Sequence, residues 1–201
     1  MVRNEKEKAA ALILTALCII TYVVSKVLDG FPVEEIAIAP HCPLYARLCY
    51  SFFHASIVHC IVNCWCLLSV VFIYRISLWS LLVAYVTAVL YPIDTLAAVA
   101  NYSLFTFHFS LFTFHSSLLT PTIGLSGVCF CLLGQISFRV KRKLYYHFCI
   151  LSFIVFGFIA PLASSACGYT VATPNTLLHL YSYVVGLLVG FLNSPAPWQR
   201  K

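Results

Sequence analysis

With 201 residues, 62% of them hydrophobic and 9% charged, and a mean hydropathy of +0.95, the chain carries more apolar surface than a water-soluble domain of this size can hide. The formal net charge of +6 follows the membrane rule for cytosolic basic residues and does not form a nucleic-acid patch. Composition therefore predicts an all-α polytopic membrane protein, with room for about six spans of ~20 residues and no separate soluble domain.

In chain order, residues 1–8, "MVRNEKEK", read as a short cytosolic N-terminus unlike a transit peptide. Six apolar runs follow, at 9–27, 52–74, 76–93, 124–138, 144–160 and 176–193, and together 9–193 read as one membrane domain. Breaks rich in Pro, Gly or charge separate them: "LDGFPVEE", Arg75, "YPIDT", "RVKRK" and "PLASSACGYTVATPN". Residues 194–201 form a short cytosolic tail. The hexapeptide "SLFTFH" stands at 103–108 and again at 110–115, which reads as a local duplication. That stretch is expected to be an aromatic, partly embedded outer loop or an extension of the third span. Were it a further crossing, "RVKRK" would be turned outward, against the charge rule.

Orientation comes from Lys and Arg. With the N-terminus and C-terminus both cytosolic, ten of the twelve basic residues lie on the cytosolic side, and only Lys26 and Arg47 lie outside. The outer loops then hold Asp29, Glu34, Glu35 and Asp94, four of the six acids.

Polar residues inside the runs are costly in lipid and turn towards a cavity or one another. Four stand out: His59, Asn63, Ser126 and His179. His59 and Asn63 are one helical turn apart and share a face. Counting back from the cytosolic helix ends at ~1.5 Å per residue puts Asn63 roughly 18 Å, His59 roughly 24 Å, Ser126 roughly 20 Å and His179 roughly 21 Å from that side. In a core ~30 Å thick, all four share one layer nearer the outer surface.

A serine needs a base to become a nucleophile, and a histidine supplies one. No acid lies inside a run near this layer, so a hydrolase here would run on a Ser126–His179 dyad without a carboxylate. Ser126 opens a helix, and its backbone N–H is free of an intrahelical partner at the positive end of the dipole. That N–H, with donors from His59 and Asn63, is suited to hold a developing oxyanion. Gly124 and Gly127 leave room for a turn and for a neighbouring helix.

These residues resemble the rhomboid intramembrane serine proteases. The second run reads "HASIVHCIVN", with His54, His59 and Asn63 at the family spacing; the fourth reads "GLSG", Gly124 to Gly127; the sixth reads "LHLYSYVVGLLVG", with His179, Ser182, Gly186 and Gly190. The resemblance spans 9–193 and implies the six-helix core form. It implies Ser126 as nucleophile and His179 as general base and then acid. His59, Asn63 and the Ser126 N–H would form the oxyanion hole, with His54 as an outer structural histidine. Phe130, one turn after the serine, is implied as the ring that stacks on His179. Ser182 stands where the family has its first glycine after the histidine, and Gly186 follows on the same face. Many members carry adjacent Trp-Arg in the first outer loop; here "LYARLCY" offers Tyr45 and Arg47 instead.

The resemblance further implies single-pass transmembrane substrates, cut near the outer end of the helix, and no cofactor or metal. "HCIVNCWC" lacks a paired Cys-x-x-Cys framework, and its cysteines read as small buried hydrophobes. Cys42, Cys49 and Cys167 lie on the outer side, where a disulfide is possible. His41 and His115 read as interfacial, and His147 as lying at the cytosolic edge. The alternative function is a non-catalytic rhomboid-like protein that binds transmembrane clients. A small transporter is disfavoured by the absence of charge inside the runs. Substrate, compartment and oligomeric state stay open at this point.

Overall fold

The computed structural model describes residues 5–28, 31–106, 121–166 and 175–193. Among them the regular structure is helical, apart from one isolated antiparallel bridge between Ile38 and Thr122. The helices are α1 (Glu5–Val27), α2 (Val33–Ile36), α3 (Leu44–Cys49), α4 (Ile57–Tyr74), α5 (Leu78–Val89), α6 (Ile93–Thr106), α7 (Ser126–Ile136), α8 (Lys143–Ala166) and α9 (Thr176–Leu192). A 3₁₀ turn, Tyr50–Phe52, follows α3.

Three stretches are long and apolar enough to cross a bilayer: Glu5–Val27, Ile57–Tyr74 and Leu78–Val99, the last taken through the break after α5. Shorter apolar helices occupy Ser126–Ile136, Lys143–Ile159 and Thr176–Leu192. Their outer faces carry bare Ile61, Val62, Trp65, Leu144, Phe156 and Phe191, a pattern suited to lipid and hostile to water.

Helix ends depart from the apolar runs for local reasons. α1 takes in the charged "EKEK", with a Lys8–Glu5 ion pair of 3.3 Å along one face. Residues 5–8 are thus helical. The run 52–74 becomes helix only at Ile57, where the Ser56 side chain caps the His59 N–H at 3.2 Å. The chain at His54 is therefore outside α4. α4 stops where Arg75 turns left-handed, φ 50°. The run 76–93 breaks before Pro92, and α6 starts anew at Ile93. Most of the 103–115 repeat lies outside the described residues, as do Cys167, His115 and the tail from 194.

α7 is the axis of the molecule. It has 11 residues, about 16 Å of helix, and all but Leu133 are buried. It packs most extensively on α9, then on α5 and α4. The α7–α9 contact is made by glycine. A Cβ on Gly134 would fall 2.7 Å from the Leu187 nitrogen, and one on Gly190 would fall 2.6 Å from the Gln135 carbonyl oxygen. A Cβ on Gly186 would overlap the Cys131 carbonyl. Gln135 ties α7 to α5 by donating from Nε2 to the Ser80 carbonyl at 3.2 Å.

The loop between α1 and α4 is fastened although it lacks Trp-Arg. Arg47 pairs with Asp94 and donates to the Tyr91 carbonyl at 3.1 Å. Tyr50 O–H donates to the Ala88 carbonyl at 2.9 Å and Tyr85 O–H to the Leu48 carbonyl at 2.6 Å. Tyr45, the other residue of that loop motif, is exposed.

Candidate active site

The segment that leads into α7 is held from outside the helix. Ile38 and Thr122 exchange two backbone hydrogen bonds, of 2.9 and 3.1 Å, and the Gly124 N–H donates to the Tyr50 carbonyl at 2.9 Å. The non-helical backbone at Gly124 and Leu125 is buried in protein. Gly124 takes φ +128°, a conformation open to glycine alone, and a Cβ there would fall 2.5 Å from His59 Cε1 and 3.5 Å from Asn63 Nδ2. The glycine therefore brings the chain directly against the two polar groups of α4.

Ser126 is the first residue of α7, so its N–H has no partner within the helix. Its Oγ lies 2.9 Å from His179 Nε2, and both residues are buried. Phe130, one turn on, lies flat against His179 with ring centroids 4.3 Å apart and 14° between planes. Phe153 of α8 stands beyond it, 6.4 Å from the same imidazole. The histidine is thus fixed by ring packing and by the serine.

Asn63 is buried, and its Nδ2 has no hydrogen-bond partner among the described residues. A buried amide donor without a partner calls for an explanation, and this one faces Gly124, two residues before Ser126. His59 lies beside it on the same face of α4. His54 meets His59 edge-on at 5.1 Å and accepts from the Leu125 N–H through Nε2 at 3.4 Å. It touches the site from the loop and braces the residue before the serine.

The remaining expected residues lie outside the dyad. Gly127 faces Leu178 and Ala88, where a Cβ would fall 3.2 and 3.3 Å away, and so admits α9 and α5. Gly186 belongs to the α7–α9 contact, and Ser182, one turn before it on α9, is buried. The one acid beyond residue 35, Asp94, pairs with Arg47 and His41 of the loop between α1 and α4. His147 binds the Tyr183 hydroxyl through Nδ1 at 2.6 Å, joining α8 to α9. Cys42 and Cys49 are free thiols.

Sequence reasoning missed Tyr50, Thr122, Phe153 and Asn175. Asn175 had a readable signal, a capping residue ahead of an apolar run. Tyr50 and Thr122 had none, because a loop residue that lends a carbonyl or a hydroxyl leaves no pattern, and Phe153 is one phenylalanine among several in an apolar helix.

Chemically, the arrangement offers a hydroxyl in contact with a base, an unpaired amide donor and a free helix N-terminal N–H, all on one side of a glycine turn. The rhomboid domain family matches residues 41–196 of the chain. No curated protein matches it.

Proposed function

Because the chain belongs to the rhomboid family, with the family domain spanning residues 41–196, we propose that it is an intramembrane serine protease working through a Ser126–His179 dyad. The observation that carries this reading is the 2.9 Å contact between Ser126 Oγ and His179 Nε2 in a buried setting. A serine kept only for helix packing has no need of that partner.

In this reading Ser126 Oγ attacks the scissile carbonyl while His179 Nε2 takes its proton. The new C–O bond leaves a negative oxygen, held by Asn63 Nδ2, by His59 and by the Ser126 N–H. Collapse breaks the C–N bond, and His179 returns the proton to the leaving amine. Water then attacks the acyl-enzyme with His179 again as base, releasing the acid and the free serine. No carboxylate takes part; the flat contact with Phe130 and the tight α7–α9 packing orient the imidazole in its place.

The substrates are single-pass transmembrane proteins, cut near the outer end of the helix where small or helix-breaking residues let the strand unwind. The chain crosses the bilayer six times with both termini cytosolic, which places the dyad layer towards the outside.

Labelling with a fluorophosphonate tests the proposal. Wild-type protein should form a covalent adduct on Ser126, and Ser126→Ala should form none. A folded wild type that resists labelling would instead favour the non-catalytic client-binding alternative.

A further inference from the structure

The base of this dyad has no acid to orient it, yet its helix start is anchored by one buried side chain. Asn175 caps α9: its Oδ1 accepts from the Leu178 N–H at 2.9 Å and from the Tyr91 hydroxyl at 3.3 Å. Its Nδ2 donates to Thr122 Oγ1 at 3.2 Å, and its own carbonyl accepts from the His179 N–H at 3.2 Å. The residue is 3% exposed.

An ordinary helix cap uses only the side-chain acceptor. Here the donor end is used too, and it points away from the helix it caps. Thr122 lies four residues before Ser126 and is itself held by two backbone bonds to Ile38. Tyr91 lies at the α5–α6 junction, where its carbonyl receives Arg47. One amide thus joins the helix that carries the histidine, the segment that carries the serine, and the junction to which the outer loop is fastened.

We propose that Asn175 is a positioning residue for the dyad: through Thr122 it fixes the serine-bearing segment against the helix start that carries His179. The proposal rests on the protease reading above; where the ring of Phe130 sets the plane of the imidazole, Asn175 sets the spacing between the segment that carries the serine and the helix that carries the histidine. A displacement of about 1 Å at a reacting group costs ~10²-fold in rate, so loss of this link should act on turnover more than on binding.

Three variants test it. Asn175→Ala removes all the side-chain bonds; Asn175→Ser keeps a capping oxygen but is too short to reach Thr122; Thr122→Val removes the acceptor. The inference predicts a fall in kcat of ~10²-fold for Asn175→Ala with KM within about twofold. Asn175→Ser should recover thermal stability but stay about tenfold or more down in kcat. Thr122→Val should match Asn175→Ser, and the double variant should lose no more. If Asn175→Ala does not fold, the other two carry the test. Full recovery of kcat in Asn175→Ser would reduce the residue to a helix cap and overturn the inference, as would a Thr122→Val enzyme at wild-type rate.

A second readout separates this from the protease reading. In protein labelled with ¹⁵N-histidine, the His179 Nε2 resonance should move in Asn175→Ala and Thr122→Val towards its position in Ser126→Ala. An unmoved resonance would contradict the positioning role even if the enzyme is active. A wild type without turnover would contradict the protease reading, and the resonance would still judge Asn175.

Discussion

In the proposed dyad, the ring of Phe130 takes the place of an orienting carboxylate. Its ring lies 4.3 Å from the His179 ring at 14°, so truncation removes the surface that sets the imidazole plane. Phe130→Ala should therefore lower kcat by ~10²-fold, while Phe130→Tyr, which keeps the ring face, should stay within a few-fold; purified variants on one substrate decide it. Asn63→Ala removes one proposed oxyanion donor and should cost ~10²–10³-fold in turnover, yet slow labelling of Ser126 by a fluorophosphonate should persist, since nucleophile and base remain. A fully active Asn63→Ala would remove Asn63 from the oxyanion site. Ser126, His179, His59 and Asn63 were legible because a polar residue in an apolar run stands out. Asn175 was legible only as a helix cap, and Thr122 and Tyr50 were not legible at all, because polar residues at loop edges are ordinary there.

At the scale of elements, the short α7 is held deep in the protein by glycine contacts. A Cβ on Gly186 would press on the Cys131 backbone, which cannot move aside as a flexible side chain can. Gly186→Val should force α7 and α9 apart, lower stability by ~1–3 kcal/mol and separate serine from histidine, so unfolding in detergent and turnover should fall together. The Asp94 clasp is different in kind. It fastens the outer loop to α6 and does not reach the dyad. Asp94 is 43% exposed, so Asp94→Asn should cost no more than ~1 kcal/mol and leave the rate within a few-fold in the same assay. The apolar runs in the sequence marked the main helices, but their starts were blurred. Phe52 and Phe53 are as apolar in a turn as in a helix, and only the Ser56 cap shows where α4 begins. The loop anchorage by Arg47 and Asp94 joins residues far apart in sequence, and no local pattern carries it.

For the whole molecule, the charge distribution makes a topological prediction. The loop holding Arg139, Lys141, Arg142 and Lys143 should face the same side as the N-terminus, and the loop around Glu35 the opposite side. Epitope tags placed at the N-terminus, after Lys141 and beside Glu35 should require matching permeabilisation for the first two only. A tag after Lys141 that behaves like the one beside Glu35 would break the six-span reading. The membrane character was legible from composition alone. The crossing pattern was less so, since α7 is too short to span ~30 Å of hydrocarbon by itself and begins only after a non-helical approach through Gly124.

The most direct measurement is turnover of a model transmembrane substrate by purified wild type and Ser126→Ala reconstituted in the same liposomes, with folding of both checked by thermal unfolding. The account predicts cleavage by the wild type near the outer end of the substrate helix, and none by a folded Ser126→Ala. Cleavage retained in Ser126→Ala, or absent from a folded wild type across a panel of substrate helices with unwinding residues, would contradict it.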